Sequence, residues 1–248
     1  MTSVQWSATE WICLLSAVGV AAVIQNIVGF GFALLAVPIM VLAVDPRDAV
    51  VVATILGLGS SGFQAWTGRQ DAQWPLIKRL SLSAAAGVPF GLLVFSHFDA
   101  QILKAILGVG IFVAVILLTR DVTFDDSSVA LEVWAGVVSG ALSSSLSTNG
   151  PPLVFALQGR RLPIAQFRAT ISMIFAISGV ITFGSFVALD KVTNESIWGA
   201  VFSLPILALG IFVGQSLKPK FNESNARKFV LLLLTVAGFS PVLSAFFG

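Results

Sequence analysis

Deep in its apolar stretches this chain has no aspartate or glutamate, and its 248 residues include one histidine, His97. Proton-coupled carriers relay protons through an intramembrane carboxylate or histidine, so the sequence offers no such relay. His97 falls at the edge of an apolar run beside Asp99, where an interfacial residue is expected. The single cysteine, Cys13, excludes an intramolecular disulfide and a cysteine-cluster metal site. No basic residue precedes the first apolar run, and a cleaved secretory signal is therefore not expected. Tyrosine is absent altogether. Charge is scarce too: 10% of residues are charged, against roughly a quarter in a soluble domain. The net charge of +2 gives no basis for nucleic-acid binding.

Apolar residues are what the chain has instead. Hydrophobic residues make up 56% of it, phenylalanine alone accounts for 20, and the mean hydropathy is +0.95. An all-α integral membrane protein follows. A full crossing needs about 20 residues, and six runs reach that length with their flanks: 49–67, 80–96, 102–118, 169–189, 197–217 and 229–247. The polar stretch Arg120 to Ser128, with three aspartates, separates two sets of three such runs. Ala53-Thr54 recurs as Ala169-Thr170 and Pro89 recurs as Pro205, each 116 positions on. We therefore expect two repeats, 1–121 and 129–248, joined by a linker at 122–128.

Each half opens on a segment too short for two crossings. Between Glu132 and Arg160 lie 27 residues, and between Glu10 and Asp45 lie 34. Folded as hairpins, the arms would reach about 20 Å and about 25 Å at the helical rise, past the middle of a ~30 Å core. The midpoints fall at Leu146 and at Ile27–Val28, so polar and glycine-rich motifs sit at both tips. A hairpin returns to its side of origin. Each half then makes three net crossings, and the second half is inverted relative to the first. Distribution of the basic residues gives an independent check. This topology gathers 11 of the 14 on one side and leaves Arg47, Lys104 and Lys191 on the other. The richer side is assigned to the cytoplasm and both termini to the periplasm.

The tips carry the chemistry. The first reads Gln25-Asn26-Ile27-Val28-Gly29-Phe30-Gly31, the second Ser143-Ser144-Ser145-Leu146-Ser147-Thr148-Asn149-Gly150-Pro151-Pro152. Glycine, proline and small polar residues interrupt helices, and in lipid the freed backbone groups need partners. Broken helices facing each other from two halves are how transporters build a midplane site. Free N–H groups and the positive end of a helix dipole bind an anion without a full charge. Gly29, Gly31 and Gly150 let a substrate approach the backbone. Pro151 and Pro152 fit the first turn of a returning helix, and Pro38 marks a further structural break. Asn26, Ser144, Ser145, Ser147, Thr148 and Asn149 add neutral donors. The alternative for all of these is close helix packing by small residues. Arg168 admits two readings: it draws an anion into an inner vestibule, or it snorkels to the interface. Gln25 and Thr54 are further polar residues, read first as structural. A Ser–His hydrolase would need a base within hydrogen-bond reach of the serines, and His97 is badly placed for that.

The motifs Asn26 through Pro38 (NIVGFGFALLAVP), Asn149-Gly150-Pro151-Pro152-Leu153-Val154 and Phe167-Arg168-Ala169-Thr170 resemble those of the TauE/SafE sulfite exporter family. The resemblance runs over nearly the whole chain. It implies two related halves and movement of sulfite or an organosulfur anion across a bacterial inner membrane. The chain departs from the family's usual triple glycine, having Gly29-Phe30-Gly31-Phe32, and carries Asn149 where glycine is common. The resulting expectation is an inverted-repeat transporter that exports a small anion by alternating access between the two tips. An anion channel and a membrane-embedded hydrolase are the rivals. No cofactor or metal is expected, the lipid bilayer is the surrounding medium, and a homo-oligomer is left open.

Overall fold

A computed structural model describes residues 6–119, 128–160 and 162–220. Every element among these residues is helical: α1 (Ala8–Val28), α2 (Phe32–Met40), α3 (Pro46–Gly68), α4 (Trp74–His97), α5 (Ala100–Thr119), α6 (Val129–Leu146), α7 (Gly150–Gln158), α8 (Ile164–Ala188) and α9 (Asn194–Leu217). Six of them, α1, α3, α4, α6, α8 and α9, are long and apolar enough to cross a membrane. The protein is a multi-pass, all-helical membrane protein. Of the six runs expected as crossings, four lie in α3, α4, α8 and α9, and 102–118 lies in α5. The run 229–247 and most of the polar linker are outside the described residues.

Large apolar side chains point away from the bundle, Leu82 at 76% and Phe212 at 70% exposure among them. Such exposure would be a liability in water and suits a helix surface facing hydrocarbon. Lipid gives no hydrophobic incentive for helices to associate, so close backbone packing must supply it. Two seams do this. Along α4 and α6, Gly87, Gly91, Gly136 and Gly140 alternate sides; a Cβ at Gly140 would collide with the Ala84 carbonyl, and one at Gly87 with that of Val137. Along α1 and α9, a Cβ at Gly210 would meet Ala22 at 2.6 Å and one at Gly214 would meet Asn26 at 2.7 Å. Each seam contains pairs of glycines four apart.

The two short helices return along their predecessors. Cys13 Sγ of α1 donates to the Ile39 carbonyl near the end of α2 at 3.0 Å, so α2 runs back toward the start of α1. At the base of the second hairpin, Arg160 Nε donates to Glu132 at 2.6 Å, and Arg79 of α4 pairs with the same carboxylate. The hairpins therefore close, but with unequal arms. The sequence suggested about 13 residues per arm in the second hairpin; α6 has 18 and α7 has nine. In the first, α1 has 21 and α2 nine. The returning arm spends its other residues on the break and on a closing turn, where Ala43 and Val44 bond back to Met40 in the first hairpin and Arg160 to Leu157 in the second.

Contacts at the two ends of the bundle sort the loops. Arg79, Glu132 and Arg160 gather at one end. At the other, Arg47 donates to the carbonyls of Phe95 in the last turn of α4 and Phe98 just past it, and Thr193 at the start of α9 donates to Asp48 of α3.

Candidate functional site

Both breaks are built from backbone conformations that the sequence had to permit. Helix α1 stops where Gly29 turns left-handed, φ 101°, and its N–H closes on the Gln25 carbonyl at 2.7 Å. Gly31 is left-handed again, φ 98°, and α2 starts at the next residue. Glycine takes such angles without a Cβ penalty. In the second break a serine, Ser147, adopts φ 58°, and the amides of Ser147 and Thr148 bond back to the carbonyls of Ser143 and Leu142. Gly150 opens α7 and Pro151 and Pro152 occupy its first turn, where a missing N–H costs nothing. Pro38 lies inside α2, two residues before its end.

The breaks line one cavity. Its volume is about 50 Å³, and its wall combines Gly31, Phe32, Ala33 and Leu34 from the first break with Ser147, Thr148, Asn149 and Gly150 from the second. Gln25 of α1, Thr54 and Ser61 of α3, Ser143 of α6, and Phe175 and Gly179 of α8 complete the polar and apolar sides. Residues 53–61 are at the middle of α3 and residues 175–179 at the middle of α8, so the cavity is equally far from both ends of these helices. A water-sized centre needs about 10–15 Å³ by this measure, which leaves room for an ion of a few heavy atoms. The breaks also touch: a Cβ at Gly150 would stand 3.7 Å from the rings of both Phe30 and Phe175.

Hydrogen bonds hold the polar wall in place. Gln25 Nε2 donates to Ser61 Oγ at 3.1 Å, and Thr54 Oγ1 donates to the Val50 carbonyl at 2.8 Å and accepts from the Ser147 hydroxyl at 3.1 Å. Ser143 and Thr182 hydroxyls are 3.0 Å apart. Ser139 Oγ donates to the Asn149 carbonyl at 2.9 Å, fixing the start of α7. No lining side chain is charged.

Not every residue singled out in the sequence reaches this wall. Gly31, Ser147, Thr148, Asn149 and Gly150 do. Asn26 turns to its own helix, with Nδ2 donating to the Ala22 carbonyl at 2.9 Å. Ser144 donates to the Val88 carbonyl of α4 and Ser145 to Ala141, so both serve packing. Arg168 lies at the end of α1, its guanidinium on the carbonyls of Ile27 and Val28 and its stem over Gly29. Lys218, just past α9, lies nearby; burial first, and Arg168 second, push its ammonium below the ordinary lysine value. Gln25 and Thr54, read first as structural, face the cavity, and Ser61 and Ser143 join them. His97 is at the end of α4 with Nδ1 3.0 Å from the Leu93 carbonyl.

Residues 14–240 match the family model described as Sulfite exporter TauE/SafE. No curated protein and no solved structure is similar enough to this chain to match it.

Proposed function

This chain belongs to the TauE/SafE sulfite exporter family, and from that membership we propose that it exports sulfite or an organosulfonate by alternating access through the cavity between its two helix breaks. The observation that carries this reading is that small, uncharged, donor-bearing cavity, reached by both breaks at mid-length of α3 and α8. The amino end of α2 faces it with no side-chain cap. Its first N–H groups lack intrahelical partners, and they and the helix dipole favour an anion. Thr148, Asn149 and Gly150 bring the amino end of α7 to the opposite wall.

Two inverted repeats, 1–121 and 129–248, are supported by the packing. Helix α1 packs on α9 as α6 packs on α4, α3 meets α9 as α8 meets α4, and α3 pairs with α8. Exchanging the halves reproduces this set. The motifs 116 positions apart agree, since Pro89 and Pro205 are both inside their helices, α4 and α9. The end that gathers Arg79 and Arg160 is the cytoplasmic one by the positive-inside rule, which sets both termini in the periplasm of a bacterial inner membrane. Export of an anion from a negative interior is downhill by about 2.3 kcal/mol per charge per 100 mV, so no coupling ion is required.

Flux of sulfur oxyanions and carboxylates from vesicles containing the purified protein tests the reading. We expect saturable efflux of sulfite or a sulfonate, accelerated by a negative interior without a pH gradient. Flux that never saturates would make the protein a channel. Strict dependence on an imposed proton gradient would overturn uncoupled export.

A further inference from the structure

Hydrogen bonds in the cavity wall stay within one half of the chain, with a single exception. Gln25 bonds to Ser61 inside the first half, and Ser143 to Thr182 and Ser139 to the Asn149 carbonyl inside the second. Among the described residues, the one bond between lining side chains that crosses from half to half joins Ser147 to Thr54, 3.1 Å apart across 93 positions. Its direction is set by a neighbour. Thr54 Oγ1 lies 2.8 Å from the Val50 carbonyl, which can only accept, so the single threonine hydrogen is committed there. Ser147 is therefore the donor.

The backbone at Ser147 is one that a side chain makes harder. Ser147 caps α6 as Gly29 caps α1, and both are left-handed, φ 58° and φ 101°. Glycine takes this angle freely, while a Cβ crowds it. Serine stands there in the second half, and its side chain reaches the cavity. Ser147 stays partly exposed, and a hydroxyl hydrogen rotates to suit its acceptor. An anion in the cavity is a better acceptor than Thr54, because a hydrogen bond to a charged oxygen is roughly twice as strong as one between neutral groups. Thr54 is not stranded by the exchange, since its own hydrogen remains on Val50.

We propose that Ser147 is the group through which a bound anion unties the two halves: its hydroxyl donates to Thr54 when the cavity is empty and to the anion when it is filled. This rests on the export reading above and adds a coupling step to it. Binding breaks the tie between the second break and α3. An empty carrier keeps the tie and changes sides slowly; a loaded one has lost it and changes sides fast.

The experiment measures efflux of labelled sulfite and of labelled methanesulfonate from vesicles containing the full-length protein. The pH is equal on both sides, and the membrane potential is clamped to zero. The two partners of this one bond should respond in opposite directions. Ser147→Gly keeps the left-handed angle and removes the donor, and should raise the half-saturating concentration by about tenfold. Thr54→Val keeps the shape and frees the serine for the anion, and should lower that concentration several-fold. Unlabelled anion outside should accelerate efflux through the wild-type protein, and Thr54→Val should lose most of that acceleration. Gel filtration checks that each variant is folded, and Thr54→Ala replaces the valine variant if it is not.

Half-saturating concentrations that rise alike in both variants would make the bond a plain support of the wall. Unchanged concentrations would remove Ser147 from the anion. Either result overturns the inference and leaves export intact, as does acceleration by outside anion that is absent in the wild type or undiminished in Thr54→Val. Absence of saturable flux of both probes through the wild-type protein would overturn the export reading and this inference with it.

Discussion

Arg168 Nη2 donates to the Ile27 carbonyl at 2.8 Å across 141 positions of sequence, and Arg168 Nε donates to Val28 at 3.3 Å. A helix of α8 thereby caps the last carbonyls of α1, which have no intrahelical donors and form the negative end of its dipole. The same arginine covers Gly29: a Cβ there would stand 2.7 Å from its Cγ. The sequence suggested a vestibule or a snorkelling role for Arg168, and the structure gives it a cap.

Replacing Arg168 with alanine should therefore act on stability. Hydrogen bonds from a charged donor contribute about 1.5–3 kcal/mol each at most, and loss of both should lower the thermal unfolding midpoint in detergent, followed by tryptophan fluorescence. Arg168→Lys should recover part of it, because an ammonium lacks the fork that reaches two carbonyls. An unchanged midpoint with lost flux would show that the guanidinium serves the anion instead.

Glu132 ties three segments together, with its side chain 3% exposed between Arg79 and Arg160. Removing one partner of a buried ionic group typically costs about 3–5 kcal/mol. Glu132→Gln should destabilise by an amount at or below that range, since the arginines are about one-third exposed and can turn to water. Proteolysis at the 159–163 segment should speed up in parallel. Unaltered unfolding and proteolysis would mean that the ion pairs do not hold the hairpin base.

The glycine seams should be intolerant where the neighbour is backbone. Gly140→Ala would drive its Cβ into the Ala84 carbonyl of α4, and overpacking of this kind costs about 1–3 kcal/mol or more. Gly110→Ala in α5 meets nothing within 4 Å and should be neutral or slightly stabilising, given alanine's better helix propensity. Equal behaviour of the two variants in a thermal melt would refute close α4–α6 packing.

At the cavity, Asn149→Asp would introduce a carboxylate where the wall has only neutral groups. Anion flux should be abolished by repulsion, with expression and gel-filtration behaviour retained. Asn149→Ala should weaken transport by about 1–3 kcal/mol, the range for a lost buried hydrogen bond. Wild-type flux in the Asp variant would move the binding site elsewhere.

Topology is accessible to thiol labelling in a Cys13→Ser background, where serine keeps the donor to Ile39. A cysteine at Lys191 should react with an impermeant reagent on intact cells. One at Gln70, exposed in the turn between α3 and α4, should react only after permeabilisation. The reverse pattern would invert the orientation.

Membrane class and the places where helices break could be read from the sequence, because both are local. Apolar length sets a crossing, and Gly29, Gly31, Gly150, Pro151 and Pro152 fix the backbone angles and missing N–H groups where they stand. Helix α6 ends at Leu146, the residue that the midpoint of its segment had singled out. What only the tertiary structure decided is which polar side chains face the cavity. Asn26 and Gln25 are neighbours on α1, yet the first bonds to its own helix and the second lines the site. Ser144 and Ser145 likewise bond to backbone carbonyls while Ser143 and Ser147 reach the cavity wall. In a soluble helix the polar face marks the outside. Here lipid and protein neighbours are both apolar, and serine or asparagine can satisfy itself on a carbonyl one turn back. The sequence therefore carries no mark of direction around the helix; packing of α1 on α9 and of α6 on α4 supplies it.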